Sequence, residues 1–298
     1  MEIKLKWIEL SVVADSELID PLVQIFDRYS KHGVVLENVG EVLEHSKYHT
    51  KVRTYLNSDS DYEIVFNQID IGVRLLSHVG EVSKLSKRVL DEKEWHESWK
   101  KHFSILEVGK TIAIVPSWLK SKEVDRTIVV ELDPGMAFGT GHHPTTRMCL
   151  EMLETIVKPD HTVLDLGCGS GILSIASAKF GAKKVVGIDN DETAVKVAME
   201  NMEINGISDS ATILAGSLPN KNISKYNNNI VVANISSKVI LDLSRVITEY
   251  LDPQGYLLIS GFLDTNEPEI INAFKELNLR VVYRLATSDW VALCLRQV

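Results

Sequence analysis

Two patterns of hydrophobic and polar positions divide the chain. In the first part, four strand-like runs are interleaved with two helix-like runs in the order β-α-β-β-α-β. Each helix-like run begins at Asp or Ser, which favour helix N-termini, and ends at glycine, which favours helix C-termini. The predicted strands are residues 3–13, 34–39, 51–57 and 84–92, and the predicted helices are residues 15–33 and 60–80. This order is the split pattern of ferredoxin-like domains.

The second pattern begins at about residue 126, where short and nearly continuous apolar runs appear. The four clearest runs are "TVLDL", "KVVGID", "IVVANI" and "YLLISGF", and helix-like stretches such as "ILSIASAKFG" and "ETAVKVAMENMEING" stand between them. Unbroken apolar strands that alternate with helices are typical of a parallel sheet covered on both faces. The last two runs, residues 279–286 and 290–298, predict an antiparallel hairpin at the sheet edge.

The two patterns predict two domains. We expect a small α+β domain over residues 1–95, a linker over residues 96–125, and an α/β domain with a doubly wound, mostly parallel sheet over residues 126–298. Within the linker, residues 94–103 at its start resemble a helix and residues 111–116 a strand.

Composition narrows the class of protein. The formal net charge of −9 disfavours direct nucleic-acid binding, because phosphate recognition needs a basic face. No apolar run reaches the roughly 18 residues that a membrane helix needs, and the first residues lack the apolar stretch of a secretory signal. The three cysteines are far apart and contain no CxxC pair, which fits a reducing compartment. We therefore expect a cytoplasmic protein that binds no membrane and makes no direct contact with nucleic acid.

The sharpest local signal is "VLDLGCGSGILSIAS", in which a buried strand leads into a glycine turn and a helix. Glycines at Gly167, Gly169 and Gly171 let a ligand lie against bare backbone. Their G-x-G-x-G spacing is one residue shorter than the pattern that seats a pyrophosphate on a helix N-terminus. Asp165 precedes the turn, and its negative charge suits a sulfonium or ammonium cation better than a pyrophosphate.

A second acidic residue ends the next strand. Asp189 follows Gly167 by 22 residues, an offset at which a carboxylate accepts hydrogen bonds from ribose hydroxyls. The ligand therefore has a ribose, lacks a pyrophosphate and carries a positive centre, which together predict S-adenosylmethionine. Asp191 stands directly before a helix-like run and is interpreted as its N-cap.

The strongest motifs resemble one family. "VLDLGCGSG", "GIDND" and the terminal hairpin look like a class I S-adenosylmethionine-dependent methyltransferase, which implies a seven-stranded sheet. "LDPGMAFGTGHHPTTRMCLEML", "NI" at residues 234–235 and "EWHESWKKHF" resemble the ribosomal protein L11 methyltransferase (PrmA-like) family. That family also carries a ferredoxin-like domain ahead of the catalytic one. The resemblance implies methylation of lysine side chains of a large-subunit ribosomal protein, with the N-terminal amine as a second candidate acceptor.

Four positions match the cofactor-binding pattern of that family: Thr146, Gly167, Asp189 and Asn234. Pro144 suits the first position of a helix, so Thr146 lies in its first turn, where the family contacts the methionine end of the cofactor. A structural alternative for Thr146 is stabilisation of the helix start, and for Asn234 it is capping of the following helix. If its strand neighbours the glycine-turn strand, Asn234 meets the cofactor or orients the incoming amine.

The sequence departs from the expected patterns at two places. Other amino-methylating families often have Asn/Asp-Pro-Pro-Tyr where this chain has Asn234-Ile235-Ser236-Ser237, and the resembled family usually lacks the two serines. His142 stands where that family commonly has threonine. Adjacent loop histidines rarely converge on one ion, so we expect a positioning role for His142 and His143 and no metal site.

No residue is assigned as a general base. Methyl transfer to an amine needs a neutral nucleophile, and desolvation in a closed pocket lowers the pKa of a lysine. We expect residues 1–95 to recognise the protein substrate. The alternatives are a methyltransferase of the same fold that acts on a small molecule or RNA, a nicotinamide-dependent dehydrogenase, and a binding module without activity.

Overall fold

The computed structural model describes residues 7–15, 18–29, 34–38, 49–57, 62–90, 104–119, 124–132, 139 and 141–297. These residues fall into two compact units, with the boundary between Ser104 and Ile105. Within the described part of the chain, no helix is long and apolar enough to cross a membrane.

The first unit has the predicted element order. A four-stranded antiparallel sheet has the strand order β2-β3-β1-β4, in which β1 lies between β3 and β4. The elements are β1 (Trp7–Asp15), α1 (Ile19–Tyr29), β2 (Val34–Asn38), β3 (His49–Asn57), α2 (Tyr62–Leu76) and β4 (Ser86–Leu90). Because β3 separates β1 from β2, each β-α-β connection skips one strand, which is the split arrangement expected from the pattern.

The core of the first unit lies between its sheet and its two helices. Leu10 and Val52 from the central strands pack with Phe26 of α1 and Ile69 of α2, and all four are buried. The opposite face of β1 and β3 is also buried and holds a polar group. Arg53 and Tyr55 donate hydrogen bonds of 3.2 Å to the Glu9 carboxylate.

The second unit contains a seven-stranded sheet and a smaller three-stranded sheet. The small sheet has β6 between antiparallel β5 and parallel β7. Its strands are β5 (Leu106–Val108), β6 (Ile112–Val115) and β7 (Ile128–Glu131). The strands of the large sheet are β8 (Thr162–Leu166), β9 (Lys184–Asp189), β10 (Ala211–Ala215), β11 (Asn228–Asn234), β12 (Leu251–Leu263), β13 (Leu279–Thr287) and β14 (Trp290–Gln297).

The large sheet has the strand order β10-β9-β8-β11-β12-β14-β13. The first five strands are parallel, and the hairpin of β13 and β14 follows at one edge, as predicted; β14 runs antiparallel to both of its neighbours, β12 and β13. The order of the parallel strands reverses direction between β8 and β11. Open α/β sheets bind ligands beyond the carboxyl ends of strands at such a switch point.

Helices cover both faces of the large sheet. The helices are α3 (Pro144–Ile156), α4 (Ile172–Lys179), α5 (Glu192–Ile204), α6 (Ser237–Tyr250) and α7 (Glu267–Lys275). Successive strand residues enter opposite cores: Val163 packs with α3, α4 and α5, whereas Leu164 packs with α6 and α7. This two-sided burial explains why the strands are almost continuously apolar.

The domain boundary differs from the predicted one. Residues 105–125, which the pattern assigned to a linker, contain β5 and β6 and belong to the second unit. The three-residue strand β5 is too short to give a clear periodic signal, so it was not predicted. The strand expected over residues 111–116 is present as β6, and the helix expected over residues 94–103 lies outside the described residues.

The middle of β8 carries a buried acid. Asp165 is 0% exposed, and one of its oxygens accepts a 2.7 Å hydrogen bond from the Ser174 hydroxyl of α4. Its other oxygen, Oδ1, has no hydrogen-bond partner in the structure. Burial raises the pKa of Asp165 to about 7, although the hydrogen bonds from Ser174 act in the opposite direction.

Replacing Asp165 by asparagine is expected to remove a pH dependence of stability. The folded protein holds the Asp165 proton more tightly than the unfolded chain does. The stability due to this group is therefore complete below about pH 4 and is lost as the pH rises through about 7. Between about pH 5 and about pH 8 the wild type should lose on the order of 2–3 kcal/mol more free energy of unfolding than Asp165→Asn.

Urea denaturation at the two pH values measures this difference. Asp160→Asn, at an exposed position before β8, is the matched control and should follow the wild type. The same pH response in all three proteins would contradict the assignment of a raised pKa to Asp165.

Candidate functional site

The switch point brings two of the predicted site residues together. Strand β8 pairs in parallel with β11, with Leu166 opposite Ala233, so Gly167 and Asn234 follow at adjacent strand ends. Gly167 has a φ of 72°, and a Cβ added to it would lie 2.3 Å from Cγ2 of Ile235. Only glycine allows this approach, because any side chain would push the two strand ends apart.

The glycine turn continues directly into α4. Gly171 is the N-cap of α4 with a φ of 81°, and a Cβ there would lie 3.1 Å from Cβ of Ala198 in α5. The carbonyl oxygen of the neighbouring Ser170 accepts a 2.8 Å hydrogen bond from Asn201 of α5. Contacts from α5 therefore hold the turn in place, and the backbone of the turn lies at the carboxyl end of the sheet.

Asp189 ends β9, the neighbour of β8 on the other side. Its Oδ2 accepts a 2.8 Å hydrogen bond from the backbone N–H of Gly169, and its Oδ1 accepts a 3.0 Å bond from that of Asp191. Each carboxylate oxygen keeps capacity for a further donor. The carboxylate is thus fixed beside the glycine turn before any ligand binds. Asp191 caps α5 by accepting from the N–H of Thr193, as predicted.

Asn234 contacts Thr146 across the site. The side-chain amide of Asn234 donates a 3.2 Å hydrogen bond to the hydroxyl of Thr146, which is 1% exposed. The other side-chain atom, Oδ1, is buried and has no hydrogen-bond partner among the residues that the structure describes. The N-cap of α6 is Ser236, so Asn234 does not cap that helix. An unpaired buried carbonyl is costly, and an incoming N–H or O–H donor would relieve that cost.

The first turn of α3 is arranged by a histidine. Pro144 occupies the first helical position, as predicted, and the N-cap is His143. Nδ1 of His143 accepts from the N–H of Thr145 at 3.4 Å and lies 2.7 Å from its hydroxyl. Burial lowers the pKa of His143 to about 4, so the imidazole is neutral at pH 7 and its Nδ1 can act as an acceptor.

The glycine-threonine segment ahead of α3 is described in part. Residues 133–138 and Thr140 lie outside the described residues, and with them part of the predicted cover over the cofactor. The carbonyl oxygen of Gly139 accepts a 2.7 Å hydrogen bond from the Ser170 hydroxyl of the glycine turn. Gly141 is buried, and a Cβ added to it would lie 2.3 Å from Cδ1 of Ile114 in β6. The segment therefore touches both the glycine turn and the small sheet.

One expectation from the sequence is not met in the structure. Asp165 lies inside the protein against α4, whereas its charge was expected to face a ligand cation. Thr146, Gly167, Asp189 and Asn234 all lie at the carboxyl end of the sheet, on α3 and on the ends of β8, β9 and β11.

Three further polar contacts were not predicted. Ser170 and Asn201 support the glycine turn, and His143 contacts the ring of Trp290. Ser170 carried a sequence signal because it stands inside the glycine motif. Asn201 and Trp290 carried none, since each lies in an ordinary amphipathic run.

Metal binding finds no support in this part of the protein. Among the residues that the structure describes, no group of three or more His, Cys, Asp or Glu side chains is placed to hold an ion. His142 is exposed and His143 is the cap of α3. The three cysteines are buried as free thiols, and burial raises the pKa of each well above its ordinary value.

Comparison with known proteins covers nearly the whole chain. The family model described as ribosomal protein L11 methyltransferase (PrmA) matches residues 6–298. A ribosomal protein L11 methyltransferase of Chloroflexus aurantiacus is 36% identical over 98% of this chain and 98% of its own length. Another, from Thermoanaerobacter pseudethanolicus, is 36% identical over 98% of this chain and 100% of its own length.

A solved structure extends the comparison to the fold. The crystal structure of a ribosomal protein L11 methylase from Lactobacillus delbrueckii subsp. bulgaricus superimposes with a TM-score of 0.61 and 32% identity. The match covers 66% of this chain and all of that chain. Because the family model and the relatives cover nearly the whole sequence, the chain belongs to the ribosomal protein L11 methyltransferase (PrmA) family.

Proposed function

We propose that this protein transfers methyl groups from S-adenosylmethionine to lysine side chains of ribosomal protein L11, with the N-terminal amine as a second acceptor. The observation that carries the proposal is the chemistry of the site. The switch point offers a fixed carboxylate, Asp189, and an unpaired carbonyl oxygen on Asn234. Both groups accept hydrogen bonds and favour positive charge, so the site suits a cationic nucleoside and an amine.

The residues present fit S-adenosylmethionine. Asp189 would hold the ribose hydroxyls through the remaining lone pairs of its carboxylate, which the backbone already orients. The turn at Gly167 would receive the body of the ligand, because it offers backbone without side chains. Thr146 would contact the methionine end. The G-x-G-x-G spacing of the turn is one residue shorter than the pattern that seats a pyrophosphate, which disfavours a dinucleotide cofactor.

When bound, S-adenosylmethionine supplies an electrophilic methyl group and a good leaving group. The protein must then present a neutral amine in line with that methyl. A lysine has an ordinary pKa of about 10.4, so its deprotonation at pH 7 costs roughly 4–5 kcal/mol. Asn234 Oδ1 would accept a hydrogen bond from the amine and orient its lone pair. Burial of the amine lowers its pKa, so no general base is needed.

The substrate is inferred from the relatives. The curated relatives are named ribosomal protein L11 methyltransferases, and two of them match 98% of this chain and 98% and 100% of their own length. The sequence of residues 1–95 carries no motif like the glycine turn, which supports a role of this part of the chain in recognising the protein substrate. We also place the protein in the cytoplasm, because its three buried free cysteines fit a reducing compartment.

Incubation of the purified protein with S-adenosylmethionine and ribosomal protein L11 tests the proposed function. Mass spectrometry should show mass increases of one methyl or more on L11, with fragment ions that assign them to lysines or the N-terminal amine. Ribosomal RNA and a metabolite extract serve as competing acceptors. If the RNA or a metabolite is methylated and L11 is not, the proposed acceptor is wrong and only the proposed cofactor stands.

Asp189→Asn is expected to weaken S-adenosylmethionine binding by about 10- to 100-fold, because hydrogen bonds to a charged acceptor are each worth about 1.5–3 kcal/mol. Calorimetric titration measures the dissociation constant. Asp191→Asn is the matched control two residues away: asparagine also caps helices, so binding should stay within about twofold of the wild type. Equal affinities for Asp189→Asn and the wild type would refute the ribose contact.

A chain that begins at Ile105 tests the role of the first unit. We expect it to bind S-adenosylhomocysteine as the full chain does and to methylate L11 at a rate reduced by about 100-fold or more, since remote contacts position the acceptor. Circular dichroism confirms that the shortened chain is folded. An unchanged rate of L11 methylation would exclude substrate recognition by the first unit.

A further inference from the structure

A ring contact joins the terminal hairpin to the predicted cofactor site. Trp290, the first residue of β14, meets His143 with ring centroids 4.6 Å apart and planes at 74°. We propose that Trp290 is a positioning residue for the cofactor site, acting through His143 on the first turn of α3. The inference rests on the proposed function, because it takes Thr146 to be a cofactor contact.

His143 is held from two directions. On one side its Nδ1 accepts from Thr145, which satisfies a backbone N–H that α3 itself leaves unpaired. On another side the ring meets Trp290 in an edge-to-face arrangement, which aromatic rings prefer. The cap contacts hold the Nδ1 edge of the imidazole, and the Trp290 ring packs against the same imidazole. We therefore expect the two contacts together to fix where α3 begins.

Trp290 is held in place through both its backbone and its side chain. It lies opposite Leu263 of β12 and opposite Thr287 of β13, so strands on both sides hold its backbone. Its side chain packs against the same hydrophobic core that contains the buried residues of α3. The hairpin therefore fixes Trp290 relative to the sheet, and Trp290 in turn fixes His143.

The position of α3 matters because of Thr146. Its hydroxyl is 3.2 Å from the side-chain nitrogen of Asn234, so a shift of the helix start by one ångström breaks this contact. The preceding loop has a second anchor, where Gly139 accepts from Ser170. His142 lies between the two anchors and is exposed. The loop is thus tied to the glycine turn at one end and to the terminal hairpin at the other.

The experiment measures S-adenosylhomocysteine affinity by calorimetry for Trp290→Ala, His143→Ala and the double variant. We expect each single variant to bind about 5–10-fold more weakly, and the double variant to be no weaker than the weaker single variant. Trp290→Phe keeps an aromatic ring and should stay within about threefold of the wild type. Tyr283→Ala, a 52% exposed aromatic on the same hairpin, is the matched control and should bind normally.

A second variant separates the ring contact from helix capping. His143→Asn keeps an acceptor for the Thr145 N–H but has no aromatic ring. We expect its melting temperature to be near that of the wild type and its affinity to match His143→Ala. If Trp290→Ala fails to fold, His143→Asn still tests whether the ring contact supports cofactor affinity. Wild-type affinity in His143→Asn would overturn the proposal.

Two further outcomes would contradict the inference. Wild-type affinity in Trp290→Ala together with a lower melting temperature would mean that Trp290 only stabilises the hairpin. Additive losses in the double variant would mean that the two residues act independently. Wild-type protein that binds no S-adenosylhomocysteine would overturn the proposed function along with this inference, whereas each of the other outcomes removes the inference alone.

Discussion

The site depends on the parallel pairing of β8 with β9 on one side and β11 on the other, at the point where the strand order of the sheet reverses. Pairing with β11 places Gly167 next to Ile235, and pairing with β9 places Asp189 under the glycine turn. The close approach at Gly167 is possible only without a Cβ. Every other feature of the site follows from this arrangement, because the three strand ends fix the backbone from which the polar side chains project.

Asp165 and Asp189 both lie near this turn, but they differ in burial and therefore in what their carboxyl groups can do. Asp189 is partly exposed and accepts backbone hydrogen bonds, so it is ready to receive donors from a ligand. Asp165 lies two residues before Gly167, is fully buried and has a raised pKa, so it holds a proton below about pH 7. Burial thus separates a structural carboxyl group from the carboxylate that we propose to bind the ribose, although both stand on strands of the same sheet.

The site also links parts of the chain that are far apart in sequence. Thr146 on α3 contacts Asn234 at the end of β11, and His143 contacts Trp290 in the terminal hairpin. The antiparallel hairpin therefore does more than close the edge of the sheet. It supplies a fixed aromatic surface against which the helix that carries Thr146 is set.

The sequence by itself determined the β-α-β-β-α-β order of the first unit, the glycine turn and the acid at the end of β9. These features are local: apolar runs, a glycine spacing and helix caps are all set by neighbouring residues. It also located Thr146 and Asn234 through resemblance to a family. Sequence did not predict the short strand β5, whose three residues carry almost no periodic signal.

Only the tertiary structure decided which way side chains point and which distant residues meet. The inward direction of Asp165 depends on Ser174, and the partner of His143 is Trp290, far along the chain. Such contacts depend on how strands and helices pack, and packing follows from the summed fit of many side chains rather than from any local pattern.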